Sequence, residues 1–170
     1  MLNSHNRLLA AGSAVAAAGA IAVTGATAAS AAPRVQPPAS GNEHLQIMST
    51  STTSSRASAI AYGAFTAAGT AKLDSAPVGT IAFPGGTIKI SHHPGKGTMR
   101  FSPETCLTVI RQPGTYTITG GTGKYTGITG HGSYQLSLTF IASRTAGKCS
   151  TGIPPVGQQE LLRLTGPVHQ

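Results

Sequence analysis

The sequence predicts an all-β domain, and three observations carry that prediction. Residues 115–119 and 133–140 alternate apolar with polar side chains at a period of two, which is typical of half-buried strands. The 22 glycines and 11 prolines suit a fold with many turns. Helix-forming residues are scarce around the glycines, and glycine costs about 1 kcal/mol relative to alanine inside a helix. We therefore expect the domain to need no helix.

Residues 1–31 have the three-part pattern of a secretory signal peptide. Arg7 supplies a positive start, an alanine-rich run covers residues 8–26, and Ala-Ser-Ala at 29–31 is a small-residue cleavage site. A membrane anchor is the alternative, but alanine and glycine make the run weakly apolar beside a span of leucine, isoleucine and valine. The pattern predicts a secreted, extracellular protein that begins at Ala32 and has no membrane span.

The next segment, residues 32–56, is rich in proline, serine and threonine. This composition is typical of an extended, flexible linker. Within it, Leu45, Ile47 and Met48 are candidates for an additional edge strand. The domain itself is predicted over residues 57–170, since a chain of this length without its leader makes one domain.

The strands of that domain are read from alternation and from turn residues. Ile60 and Tyr62 form the apolar face of the first strand, and a hairpin turns at Pro84-Gly85. The last strand is expected to pair with the first. The strands are predicted at residues 59–70, 78–83, 86–91, 98–101, 106–112, 115–119, 133–140 and 161–168.

A glycine-rich stretch, residues 114–134, lies at the centre of the pattern. Glycine at this density supplies turns and bends in curved strands, so we predict a turn, a short bent strand and a second turn between residues 119 and 133. A phosphate-binding loop is the rival, but Thr126 replaces the sixth-position glycine and Tyr125 follows Lys124 where Ser or Thr is needed. The sequence therefore predicts no nucleotide or nucleic-acid site here.

This stretch resembles the glycine signature of allene oxide cyclases and dirigent proteins, Gly-Gly-(Thr/Ser)-Gly-x-(Phe/Tyr)-x-Gly-x-x-Gly. It is similar to small secreted actinobacterial proteins assigned to that barrel superfamily, over residues 59–168. The resemblance implies a closed antiparallel β-barrel of about eight strands, in which the glycines are architectural. The matching glycines are Gly120, Gly121, Gly123, Gly127 and Gly130.

The two cysteines, Cys106 and Cys149, are expected to form one disulfide, because the chain is predicted to be exported to an oxidising space. A zinc site is disfavoured because neither a C-x-x-C pair nor a paired histidine spacing accompanies them. A catalytic thiol would need one cysteine to be free.

No residue set in the predicted domain specifies a reaction. Asp74, Glu104 and Glu160 are its only acids and lie far apart in sequence. His92 and His93 are interpreted as exposed turn residues that cannot easily share a metal, since neighbours on a strand face opposite sides. Allene oxide cyclases use a carboxylate and amides in their barrel, and dirigent proteins use acids near their pocket, but the predicted first strand contains neither. We therefore predict no catalytic, cofactor-binding or metal-binding residue.

The net charge is +8, which favours attraction to anionic polymers, although the basic residues are dispersed along the sequence. Three functions remain. The favoured one is a non-catalytic secreted barrel that binds a small apolar ligand or a cell-wall component, as a monomer or small homo-oligomer. The alternatives are a barrel isomerase or cyclase for a hydrophobic substrate and a loop-mediated interaction or inhibitor protein. An open apolar cavity in the barrel would separate the first two from the third.

Overall fold

Period-two alternation runs through almost every strand of the computed structural model, which describes residues 39–72 and 78–170. The signal peptide, the cleavage site and Asp74 lie outside these residues. Apart from one 3-10 turn, Gly123–Tyr125, the described elements are strands. They are β1 Gly41–Ser49, β2 Arg56–Gly63, β3 Ala67–Lys72, β4 Val78–Phe83, β5 Gly86–Pro94, β6 Thr98–Ser102, β7 Leu107–Gly121, β8 Thr129–Ile141, β9 Arg144–Thr145, β10 Lys148–Cys149 and β11 Gly157–His169.

Eight of these strands form a closed antiparallel barrel, which confirms the predicted fold class. The strand order is β5-β4-β3-β2-β1-β11-β8-β7, and pairing of β5 with β7 completes the ring. Closure pairs the strand edges that would otherwise be exposed. The strands β9 and β10 form a separate small hairpin.

Three barrel strands, β7, β8 and β11, continue past the barrel at one end, where β6 joins them. β5 pairs with residues 114–121 of β7, while β6 takes over as the partner of residues 107–111. Residues 157–159 of β11 pair with β8 alone, past the end of β1. The sheet β6-β7-β8-β11 therefore projects from this rim, and β6 forms its free edge.

The predicted linker is wrong from Gly41 onward, because Gly41–Ser49 is a central strand of the barrel. β1 pairs with β11 on one side and with β2 on the other, so the last strand pairs with β1 and not with the predicted first strand. Leu45 and Ile47 are buried and alternate with exposed or half-buried residues. Their burial holds this segment in the sheet despite the Pro- and Ser/Thr-rich sequence on either side.

The apolar face predicted for Ile60 and Tyr62 is also wrong. Both side chains are on the outside of β2, and Ala57, Ala59 and Ala61 face the interior. Pairing with β1 decides this orientation, since Ala59 lies opposite the inward-facing Ile47. A shift of one residue would reverse every side chain of the strand.

The glycine-rich stretch is simpler than predicted. The strands predicted at 106–112 and 115–119 are one continuous strand, β7, which begins at Leu107, and the 3-10 turn replaces the expected short bent strand. Gly123 and Gly127 have φ of +60° and +83°, a backbone conformation that favours glycine. The predicted hairpin at Pro84-Gly85 is confirmed, with Ile81, Phe83, Ile88 and Ile90 buried.

Candidate functional site: a half-hollow barrel

One end of the barrel is filled by aromatic side chains that come largely from turns. Phe65, Phe83 and Tyr125 pack with ring centroids 5.4–6.1 Å apart. Phe65 follows β2, and Tyr125 lies in the 3-10 turn. Ile128 and Val168 are fully buried in the same core. This end of the barrel is therefore closed to a ligand.

The other end contains a cavity of about 350 Å³. Its wall is predominantly apolar, and it opens toward the rim from which the four-stranded sheet projects. The lining residues are Ile47, Ala71, Lys72, Gly79, Thr80, Ile81, Ile90, His92, Gln112, Tyr134, Leu136, Glu160, Leu162 and Leu164.

Part of the cavity wall consists of very small residues. Ala71 on β3 and Gly79 on β4 line it, together with leucines and isoleucines from other strands. Side chains of this size leave space that a well-packed interior would fill.

A few polar groups converge on this apolar space. The His92 ring meets the edge of the Tyr134 ring, with centroids 5.9 Å apart. Gly114 allows this arrangement, since a β-carbon there would overlap the Tyr134 ring. Gln112 also lines the cavity, and its side chain donates to the Gly95 carbonyl at 3.3 Å. His92 is thus on an inner face and not in the predicted exposed turn, whereas His93 faces outward.

Glu160 is the acid of the cavity. It lies on β11 opposite Leu138 and opposite Ser49 on β1, close to the rim. Burial raises the pKa of its carboxyl, because the charged form loses water there. Burial also raises the pKa of the Tyr134 hydroxyl. Each group therefore keeps its proton to a higher pH than its free counterpart does.

Glu43 is a second interior acid, which the sequence analysis missed by assigning it to the linker. It is fully buried at the filled end, where the Phe65 N–H donates to its Oε2 at 3.0 Å. Burial raises the pKa of Glu43, and backbone N–H groups partly oppose that shift. Among the described residues, its Oε1 and the Tyr116 hydroxyl find no hydrogen-bond partner. The true first strand therefore carries an acid, although Glu43 does not line the cavity.

The predicted disulfide is present. Cys106 and Cys149 are bonded with their α-carbons 5.4 Å apart. The bond ties the turn between β6 and β7 to the β9-β10 hairpin, at the projecting end of the sheet. Across residues 39–72 and 78–170, no group of three His, Cys, Asp or Glu side chains is arranged to hold a metal.

The glycine motif lies at the filled end. Gly120 and Gly121 end β7, Gly123 begins the 3-10 turn, Gly127 follows that turn, and Gly130 lies in β8. A β-carbon at Gly121 would collide with the Tyr125 carbonyl, so the motif allows the turn to pack against the barrel. None of these glycines lines the cavity.

Comparison with known proteins returned no match to this chain among protein-family models, curated proteins or solved structures. In the described part of the chain, no helix has the length and hydropathy needed to cross a membrane.

Proposed function

We propose that this chain is an exported β-barrel protein that binds a small apolar ligand in the hollow half of its barrel. The observation that carries the proposal is the cavity of about 350 Å³. Ligand sites are typically apolar spaces of about 300–1,000 Å³ with a few placed polar groups. The cavity falls at the small end of that range, and Gln112, Tyr134 and Glu160 supply the polar groups.

The proposal can be tested by filling the cavity. Leu162→Trp places a large ring in it, whereas Leu161→Trp places the same ring on the outer face of the same strand. We expect a neutral fluorescent probe, N-phenyl-1-naphthylamine, to bind the unaltered chain. Its affinity should fall about ten-fold or more in Leu162→Trp, because the added ring occupies the volume that the probe needs. It should be unchanged in Leu161→Trp. Equal binding by both variants would reject the proposal.

Export and family membership belong to the same proposal. The leader pattern of residues 1–31 and the Cys106–Cys149 disulfide both support secretion. The eight-stranded barrel supports a place in the allene oxide cyclase and dirigent superfamily. N-terminal sequencing of the protein from culture fluid should find Ala32 as the first residue; a chain that begins at Met1 would contradict export with cleavage.

A second candidate is an isomerase for a hydrophobic substrate, and Glu160 is the observation that favours it. A carboxyl with a raised pKa in an apolar cavity can act as a general acid near neutral pH. Ligand extracted from the purified protein can be incubated again with the chain and with Glu160→Gln. Chemical change in the ligand that depends on Glu160 would establish the enzyme; ligand returned unchanged by both chains would leave the binding function.

A further inference from the structure

The projecting end of the sheet combines exposed apolar side chains with basic ones. We call this the tip surface and define it as Phe101, Ile141, Ile153 and Val156 together with Arg100, Arg144 and Lys148. Ile141 pairs with both Leu107 and Gly157, so it marks the point where β7, β8 and β11 meet the connecting loops. Phe101 pairs with Thr108, one position further in, so it lies on the opposite face of the sheet from Ile141 and Arg100. The tip surface therefore includes both faces of the sheet end.

The loops of this end are fixed in place. The Val156 N–H donates to the Ile141 carbonyl at 2.9 Å, and the Ser143 hydroxyl donates to the Pro154 carbonyl at 2.7 Å. These bonds hold the segment that contains Ile153 against the sheet end. Arg144 donates to the Gly147 carbonyl at 2.9 Å and also to the Glu104 carbonyl. Hydrogen bonds therefore fix the loops that carry part of the tip surface.

Apolar exposure is concentrated here. Val156 is 71% exposed, Phe101 is 52%, and Ile141 and Ile153 are each close to half exposed. Large exposed apolar patches on soluble proteins usually mark an interaction site. Met99, which is 70% exposed, lies two residues before Phe101 on β6. The remaining exposed apolar residues of the described chain, Met48, Ile60 and Tyr62, lie on the outer wall. Arg163, which pairs with Gln46, is the basic residue beside them, whereas the tip surface has three basic residues.

The charged side chains on the outside of the described chain are predominantly basic. Glu43 and Glu160 both face the barrel interior, so away from the cavity the described chain carries nine basic side chains against Glu104 alone. Glu104 lies in the turn beside Phe101, which leaves the tip surface positive. Basic side chains beside exposed aromatic and aliphatic groups are the combination that binds an anionic membrane surface.

We propose that the tip surface docks the open end of the barrel on an anionic lipid bilayer. The tip lies about 10 Å beyond Glu160, since three residues of extended strand separate them. A bilayer that contacts the tip is thus adjacent to the cavity mouth, where an apolar molecule could pass between the two. A soluble anionic polymer would use the arginines and lysine but would leave the apolar side chains exposed. The docking itself does not require the cavity to be occupied.

The test is sedimentation with vesicles of equimolar phosphatidylcholine and phosphatidylglycerol, compared with phosphatidylcholine alone. The charge variant is Arg100→Gln with Lys148→Gln, and its control is Lys89→Gln with Lys124→Gln. The apolar variant is Phe101→Ser with Val156→Ser, and its control is Met48→Ser with Ile60→Ser. Circular dichroism checks that each variant is folded.

We expect binding to the anionic vesicles only. The charge variant should lower the partition coefficient about thirty-fold, and the apolar variant about ten-fold or more, while both controls bind as the unaltered chain does. Absence of vesicle binding, or equal losses in variants and controls, would overturn the proposal. It would also be overturned if the apolar variant bound normally while soluble polyphosphate competed, which indicates a polymer. Tip-dependent dimers in light scattering would instead identify an interface between copies of the chain.

Discussion

The two ends of this barrel are built from the same eight strands, but one end is packed and the other is hollow. At the packed end, the turns send Phe65 and Tyr125 into the interior. At the hollow end, the turn between β1 and β2, residues 50–55, contains only serine and threonine. Ala71 on β3 and Gly79 on β4 leave further space in the cavity wall. Small residues on two strands and the lack of a large side chain from this turn therefore account for the cavity.

The two ends also differ in the interactions that stabilise them. The packed end is held by aromatic contacts, whereas the projecting sheet at the hollow end is braced by the Cys106–Cys149 bond. A hollow interior loses the many small dispersion contacts that close packing provides. We infer that the disulfide compensates at the end that lacks a filled core.

Breaking the disulfide should produce the largest effect on stability. The cysteines are 43 residues apart, and a bridge over a loop of this length stabilises a chain by about 4 kcal/mol in the chain-entropy model. Cys149→Ser should lower the melting temperature markedly without changing the circular dichroism spectrum. Hydrogen exchange should increase mainly in β6 and the start of β7. An unchanged melting temperature would show that the bridge contributes little.

Two isoleucines on β5 allow the packed end and the hollow end to be compared by the same substitution. Ile88 is fully buried, whereas Ile90 lines the cavity. Replacement of a buried isoleucine by alanine costs about 2–5 kcal/mol, depending on the surrounding packing. We expect Ile88→Ala near the top of this range and Ile90→Ala near the bottom, as measured by urea unfolding. Equal losses would mean that Ile90 is as closely packed as Ile88.

The buried Glu43 should make stability depend on pH. Burial raises its folded pKa above the ordinary value of 4.5, so the folded chain retains a proton that the unfolded chain has lost. The resulting stabilisation is complete below pH 4.5 and is lost as the pH rises through the folded pKa, at about 1.4 kcal/mol per unit of separation. Glu43→Gln should remove this slope in denaturant titrations at several pH values.

The matched control is Glu104→Gln, which makes the same charge change in an exposed turn. A slope that persists in Glu43→Gln would assign the pH dependence to another group, Glu160 being the next candidate because its pKa is also raised by burial.

The sequence predicted those parts of the fold that local pattern determines. The hairpin at Pro84-Gly85 and the long strand β8 follow from period two and from turn residues. The disulfide follows from two cysteines in a chain that is predicted to be exported. The role of Gly41–Ser49 depended on partners more than a hundred residues away in β11, which no local pattern reveals. The sequence offered Leu45, Ile47 and Met48 only as a candidate edge strand within the linker, and for that reason Glu43 was excluded from the domain.

The cavity was even harder to predict from the sequence. Large Ile60 and Tyr62 dominate the apparent apolar pattern of β2, while its alanines form the actual inner face. Only the register with β1 decides between these two faces. Glu160 could be noted as an acid on the last strand, but its position in the cavity follows from the same pairing.

Xenon binding observed by NMR tests the division of the barrel most directly. Xenon enters apolar cavities without needing a specific contact, and it shifts the methyl signals of the residues around it. The half-hollow barrel predicts shifts for Ile47, Ile90 and Leu162, with none for Ile88, Ile128 or Val168. Shifts at both ends, or at neither, would contradict the division into a packed end and a hollow end.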